Sequence, residues 1–319
     1  MSISRKKKSQ TAEQVRIAQW GGRQIIYLPL YLAIRSGFFQ EQGLEVEIYP
    51  AGNDNEVFAE VTSQRAQFGV GDPTFVASGA EQGFETQVIA ALINNIPLWG
   101  VTPHQEIHQM QEAADFVGLR LGSYPSPSTT YAVLEDLRIK FGRAARSMEI
   151  VESEIGAQFD LLANGRADII VDIEPMISLA EHSGLRVVFS AAHFYKDFLF
   201  TGVFALGTTI EKHPELTQTI VSGIQHGLNT CRTDTSAAIE VAQQLFPAVQ
   251  REVLERAILR MRDSRAWPEQ TLISAGSWRA ALQLRHRIGD LASLDNTAQL
   301  CNQRFAYRAV SGHAERHAP

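Results

Sequence analysis

The first 103 residues contain no histidine, no cysteine and, after Lys8, no lysine. This part of the chain therefore offers no imidazole, no thiolate and no amine for a Schiff base. An enzyme built on it must take such groups from further along, where Lys140, Lys196 and Lys212 are the only lysines, or work with carboxylates alone. Cysteine is scarce throughout. Cys231 and Cys301 form neither a CxxC pair nor a disulfide framework; one bridge between them is open by count, and two free core thiols are the expectation. Positive charge is short as well. Against 35 acidic residues stand 29 Lys and Arg, a net charge of −6, which removes the electrostatic footprint of a nucleic-acid binder. There is no apolar run of the roughly 18 residues that cross a bilayer. Neither GxGxxG nor GxxxxGK[ST] occurs, so dinucleotide and P-loop readings fail. His104 and His108 stand four apart, but without HExxH or a third ligand nearby. No metal and no cofactor is expected.

The only basic run is Arg5-Lys6-Lys7-Lys8. A secretory signal would continue with an apolar stretch of about 7–15 residues. Here the chain continues Ser9-Gln10-Thr11-Ala12-Glu13-Gln14, so the run reads as a solvated tail and the chain, taken literally, as cytoplasmic.

What is present is a folded composition, 45% hydrophobic and 20% charged, in 319 residues, enough for about two domains. Val15-Arg16-Ile17-Ala18-Gln19-Trp20 alternates as a half-buried strand, and Pro29 opens a helical pattern that Gly43 stops. Strands at 44–49, 68–71 and 87–92 alternate with helices. After a break near 98–103 a second strand-helix rhythm runs from 119 to about 206, and from Thr208 the pattern is helical almost to Ala309. The expected class is α/β, in two lobes with a helical C-terminal segment. The expected division is 15–100 plus 205–310 for lobe I and 101–204 for lobe II, with tails at 1–14 and 311–319 and crossings near 98–103 and 200–207.

Four motifs in order carry a resemblance. They are Tyr27-Leu28-Pro29-Leu30-Tyr31-Leu32-Ala33 with Ser36-Gly37-Phe38-Phe39-Gln40-Glu41-Gln42-Gly43-Leu44-Glu45-Val46-Glu47, Ala66-Gln67-Phe68-Gly69-Val70-Gly71-Asp72, Asn164-Gly165-Arg166-Ala167-Asp168, and Ile173-Glu174-Pro175. Over about residues 15–210 the chain resembles the NMT1/THI5-like solute-binding proteins, which include nitrate-, sulfonate- and taurine-type receptors and thiamine-pyrimidine proteins. The resemblance implies a periplasmic-binding-protein type II fold with a ligand held between the lobes. It also implies an ABC permease as partner and a periplasmic or cell-surface location. The cysteine-rich motif of the yeast-type pyrimidine synthases has no counterpart here.

In parallel α/β lobes ligands bind where strands end and helices begin. Four segments meet that rule. Trp20-Gly21-Gly22-Arg23 offers a stacking face and a forked cation, or else a lobe-packing turn. Asp72-Pro73-Thr74-Phe75 offers a carboxylate and a ring, or else a helix cap. Tyr124-Pro125-Ser126-Pro127-Ser128-Thr129-Thr130 gathers hydroxyls at a helix start, with Ser126, Ser128 and Thr129 as candidates for a polar ligand atom and ordinary capping as the alternative. Asp172 and Glu174 fall on one side of an extended strand and so both face the cleft, unless Glu174 only complements the next helix. Arg23 faces three carboxylates in this set. Acid in excess, with Trp20, Phe75 and Tyr124, suits a flat ligand with N–H donors, such as a pyrimidine-like heterocycle, better than a small anion. The reading is a monomeric solute receptor that closes on a small molecule. Its rivals are a cytosolic enzyme of heterocycle metabolism on the same fold and a ligand sensor.

Overall fold

The computed structural model describes residues 12–145 and 147–316. The basic run Arg5–Lys8 lies outside them. Ten strands form two five-stranded sheets. The first takes β1 (Glu13–Gln19), β2 (Leu44–Pro50), β3 (Phe68–Gly71) and β4 (Thr86–Asn94) from one side of the chain. The second takes β5 (Trp99–Thr102), β6 (Arg120–Ser123), β7 (Glu149–Glu152), β8 (Ile169–Asp172) and β9 (Arg186–Ser190). The last strand, β10 (Leu199–Leu206), returns to the first sheet. The spatial orders are β2-β1-β3-β10-β4 and β7-β6-β8-β5-β9.

The two sheets are built alike. β1 pairs in parallel with β2 and β3, and β6 pairs in parallel with β7 and β8. The strand that arrives after each crossing inserts antiparallel: β5 between β8 and β9, β10 between β3 and β4. The expected crossing at 200–207 lies inside β10. The chain changes sheets earlier, at 95–98 outward and 191–198 on return. The apolar run from Phe200 to Leu206 forms an inner strand of the first sheet, as its pattern predicts, and is buried through Ala205.

Local signals set the helix starts. Pro29 sits in the first turn of Leu28–Arg35. Asn53 and Glu56 form a reciprocal capping box on Asp54–Thr62. Ser128 and Ser274 accept backbone N–H bonds at the starts of Thr129–Phe141 and Ala275–Ile288. Helix Pro214–Thr233 packs on Leu28–Arg35 so closely that a Cβ on Gly227 would lie 1.8 Å from the Pro29 carbonyl oxygen. Only glycine permits that approach.

The C-terminal helices touch both halves. Ala275–Ile288 packs on Thr129–Phe141, and Arg251–Asp263 packs on Met176–His182, which are helices of the second half. The final helix, Arg304–Arg316, runs past the expected lobe end at 310. The segment His193-Phe194-Tyr195-Lys196-Asp197, which reads as a solvated loop or lid, is partly core. Tyr195 is buried and donates to Asp136 Oδ2 at 2.6 Å. Both cysteines are free.

Candidate functional site

Parallel strands in one sheet deliver their C-terminal ends to the same side, and here the two sheets turn those ends toward each other. One cavity collects them. From the first sheet come Trp20 after β1, Tyr27, Asp54 after β2, and Asp72 after β3. Phe200 and Thr201 join them because β10 is antiparallel, so its first residues lie beside the ends of its neighbours. From the second sheet come Tyr124 after β6, Ser128, Thr129 and Thr130 at the next helix start, and Ile173 after β8. The cavity is narrow, about 30 Å³, room for about two water molecules. The two halves therefore stand nearly shut on each other.

Four rings, of Trp20, Tyr27, Tyr124 and Phe200, contribute to the walls. Trp20 and Tyr124 meet edge to face, with centroids 5.5 Å apart and planes at 78°. They come from opposite sheets, so this pair spans the cleft. The Tyr124 hydroxyl donates to Asp172 Oδ1 at 2.6 Å. Asp172 lies behind that ring, 1% exposed, and also accepts from Ile173 N. Its second oxygen, Oδ2, is buried with no hydrogen-bond partner among the described residues. Burial pushes the Asp172 carboxyl up to about 7, and the nearby Glu174 charge adds to the shift against the hydrogen bonds from Tyr124 and Ile173.

Two carboxyl groups line the cavity, in different states. Asp72 accepts from Thr74 N and Thr74 Oγ1 through Oδ1, and from Thr129 Oγ1 through Oδ2 at 2.8 Å. The same Oδ2 lies 2.7 Å from Arg285 Nη2. Burial alone would raise this carboxyl. The Arg285 guanidinium, together with the Thr74 bonds, holds it below the usual carboxylate range. Asp72 is thus ionised and already neutralised. Asp54 is buried without a cation of its own. Its Oδ1 accepts from Asp72 N at 2.8 Å, while burial and the Asp72 charge raise its carboxyl to about 7. Asn53 takes over the helix cap, which leaves the Asp54 side chain free to turn inward.

Five of the candidate residues, Trp20, Asp72, Tyr124, Ser128 and Thr129, share this cavity, and Asp172 backs it through Tyr124. Ser128 also caps its helix by accepting from Tyr131 N at 3.2 Å. Four candidates lie elsewhere. Arg23 is exposed and borders a separate hollow beside Tyr31 and Arg35, because the Gly21-Gly22 turn carries it outward. Phe75 stands on the outer side of its helix, near Arg285, whose guanidinium carbon is 5.5 Å from the ring centroid. Ser126 is exposed, and its backbone N–H donates to Glu152. Glu174 is fully buried, accepts from Ser178 N and Oγ, and pairs with Arg260 at 2.7 Å. Its charge complements a helix start and an ion pair, not the cavity.

Asp54, Tyr27, Ile26, Phe200 and Thr201 also line the cavity, and Arg285 reaches Asp72 from behind it; none of the six falls in the four strand-end segments. Asp54 hid behind its capping neighbour Asn53, and Arg285 is far along the chain from every motif. No lysine, arginine, histidine or cysteine lines the cavity among the described residues, and no group of three or more His, Cys, Asp or Glu among them is placed to hold a metal ion.

Comparison with known proteins agrees with the architecture. The profile of the family described as NMT1/THI5 like matches residues 24–238. A protein of Bacillus subtilis (strain 168) named as a binding protein, YtlA, is 21% identical over 316 residues, covering 96% of this chain and 92% of that one. A solved structure from Bordetella bronchiseptica RB50 superposes with a TM-score of 0.77 at 20% identity, over 96% of this chain and 99% of that one. The periplasmic aliphatic sulphonate binding protein SsuA of Escherichia coli superposes with a TM-score of 0.73 at 13% identity, over 92% and 99%. The fold is that of the periplasmic binding proteins, and the chain belongs to the NMT1/THI5-like family.

Proposed function

We propose that this protein is the solute-binding component of an ABC import system and that it takes a flat, N–H-donating aromatic heterocycle, of aminopyrimidine type, into the cavity between its two sheets. One observation carries the ligand class. The cavity combines the rings of Trp20, Tyr27, Tyr124 and Phe200 with Asp54, an acid that pairs with no cation among the described residues, none of whose cationic side chains lines the cavity. A buried carboxylate without a counter-ion is stabilised by a ligand that brings N–H donors or positive charge. A small anion would meet Asp54 and the already neutralised Asp72, and would lack a partner. What the name of Escherichia coli SsuA says it binds is therefore not carried over to this chain.

A receptor also fits what the walls lack. Binding needs a shaped cleft with a few placed polar groups, and no nucleophilic thiol or amine is among the lining residues. Because the cavity as it stands holds little more than water, a heterocycle enters only when the two halves part. We take the chain segments 95–98 and 191–198 as the hinge of that motion and place the protein's work outside the cytoplasm, beside a permease.

A second reading rests on Asp54 as well. A carboxyl poised near 7 is what general acid–base chemistry on a heterocycle requires. Incubation of the purified protein with 2-aminopyrimidine, followed by native mass spectrometry and mass analysis of the released ligand, separates the two. A bound and chemically unchanged heterocycle supports the receptor. A transformed product supports the enzyme. No binding, with uptake of nitrate or taurine instead, overturns the proposed ligand class.

A further inference from the structure

Arg23, carried away from the cleft, has a setting of its own. With Arg35 it borders a hollow of about 550 Å³ on the outer side of the first sheet, within the range of small-molecule sites. The floor is apolar. Val46, Ile48 and Pro50 come from alternate positions of β2, Ile34 from helix Leu28–Arg35, and Leu245 from the end of helix Thr235–Leu245. The intervening positions of β2 point to the other face, where Glu47 pairs with Arg16 at 3.0 Å and Glu45 accepts from Gln14. No carboxylate among the described residues lines the hollow.

Both cations border that floor. Tyr31 is 5% exposed and donates to Gln19 Oε1 at 2.7 Å, while Gln19 Nε2 donates to the Gly22 carbonyl at 2.8 Å. That chain of bonds holds the turn on which Arg23 stands. Arg35 follows Tyr31 by one helical turn, so both lie on one face of the helix. The side chains of Arg23 and Arg35 have no ion pair or hydrogen bond among the described residues, and both are exposed, although the chain as a whole carries a net charge of −6. Two unpaired guanidinium side chains beside an apolar floor make an amphipathic pocket.

We propose that this hollow is a second binding site, separate from the cleft, for a small organic acid: a carboxylate held by Arg23 and Arg35, with an apolar body laid on Ile34, Val46, Ile48 and Leu245. The guanidinium fork matches two acid oxygens, and the floor selects against bare inorganic anions.

Isothermal titration with 2-naphthoate, 2-naphthamide and inorganic phosphate tests it on the full chain. The expected result is that 2-naphthoate binds and that the neutral amide binds at least about tenfold more weakly, as loss of a charge-assisted bidentate contact implies. The double variant Arg23→Gln/Arg35→Gln, changed at two exposed positions, should keep its melting temperature and lose 2-naphthoate binding. The cleft variant Asp54→Asn should keep it. Three results overturn the proposal. They are no 2-naphthoate binding at millimolar concentration, binding that survives the double arginine variant, and phosphate binding as tight as 2-naphthoate binding, which would mean that the floor plays no part.

Discussion

Arg285 Nη2 lies 2.7 Å from Asp72 Oδ2, with the two side chains 3% and 5% exposed. Asp72 follows a strand of the first sheet, and the same guanidinium donates through Nη1 to the Pro127 carbonyl, at 3.1 Å, in the loop after a strand of the second. One residue of a C-terminal helix thus neutralises a cleft acid and ties the two halves together. Removing it leaves a buried carboxylate without its cation and takes a donor from the Pro127 carbonyl. Arg285→Ala is expected to cost about 3–5 kcal/mol of stability, read by urea unfolding. A loss within about 0.5 kcal/mol, the range of ordinary surface changes, would show that Asp72 has no need of Arg285.

Two further arginines bridge in the same sense. Arg287 Nε donates to Asp136 Oδ1 at 2.6 Å, and Asp136, fully buried, also accepts from Tyr195 and pairs with Lys140. Arg260 pairs with Glu174 and with Glu181. These contacts join the C-terminal helices to helices of the second half and favour the shut arrangement. The double variant Arg260→Gln/Arg287→Gln should show a larger radius of gyration than wild type in ligand-free small-angle scattering. An unchanged radius would mean that the pairs only stabilise each half locally.

Stability should depend on pH through Asp54 and Asp172, whose carboxyls are raised to about 7 by burial first of all. In the unfolded chain they lose their protons near pH 4. The folded state binds those protons more tightly, so their contribution to stability is complete below pH 4 and is lost as pH rises from about 4 to about 7. Melting temperatures of the ligand-free protein should fall across that interval, and Asp172→Asn should flatten the fall. A melting temperature that rises from pH 5 to pH 8 would contradict the assignment.

Trp20→Ala should weaken heterocycle binding by about 1–3 kcal/mol, the worth of a buried stacking ring. It should also destabilise the protein, because Trp20 packs edge-on against Tyr124. Titration calorimetry on the folded variant separates the two effects. Undiminished affinity would reduce Trp20 to a packing role.

Much of the frame is legible in the residues. Period-2 and period-3.6 patterns locate the strand ends, and strand ends in parallel sheets are where ligands sit, so Trp20, Asp72, Tyr124, Ser128 and Thr129 can be named without coordinates. Partners distant in the chain cannot. An arginine such as Arg285, on a helix rich in polar residues, reads as solvated, and only the packing of Ala275–Ile288 on Thr129–Phe141 buries it. Asp54 beside Asn53 reads as one of two equivalent caps; the capping box uses Asn53 and frees Asp54. Arg23 fails for the opposite reason. The Gly21-Gly22 turn promises backbone access to a ligand, but the side chain that follows it is exposed and borders another hollow. Strand periodicity pairs Asp172 with Glu174, but β8 ends at Asp172, and beyond a strand's end that period no longer holds.

The most direct test of the account is titration of wild type and Asp54→Asn with 2-aminopyrimidine, benzylamine, nitrate, bicarbonate and taurine, at pH 6 and pH 8. Asparagine keeps an oxygen for the Asp72 N–H and removes only the charge. The account predicts that the aromatic N–H donors bind wild type and that they bind more tightly at pH 8, where Asp54 is ionised, by up to about tenfold per pH unit below its midpoint. Asp54→Asn should lose both the affinity and the pH dependence. Binding of nitrate, bicarbonate or taurine alone, or heterocycle binding that is the same in Asp54→Asn, would contradict it.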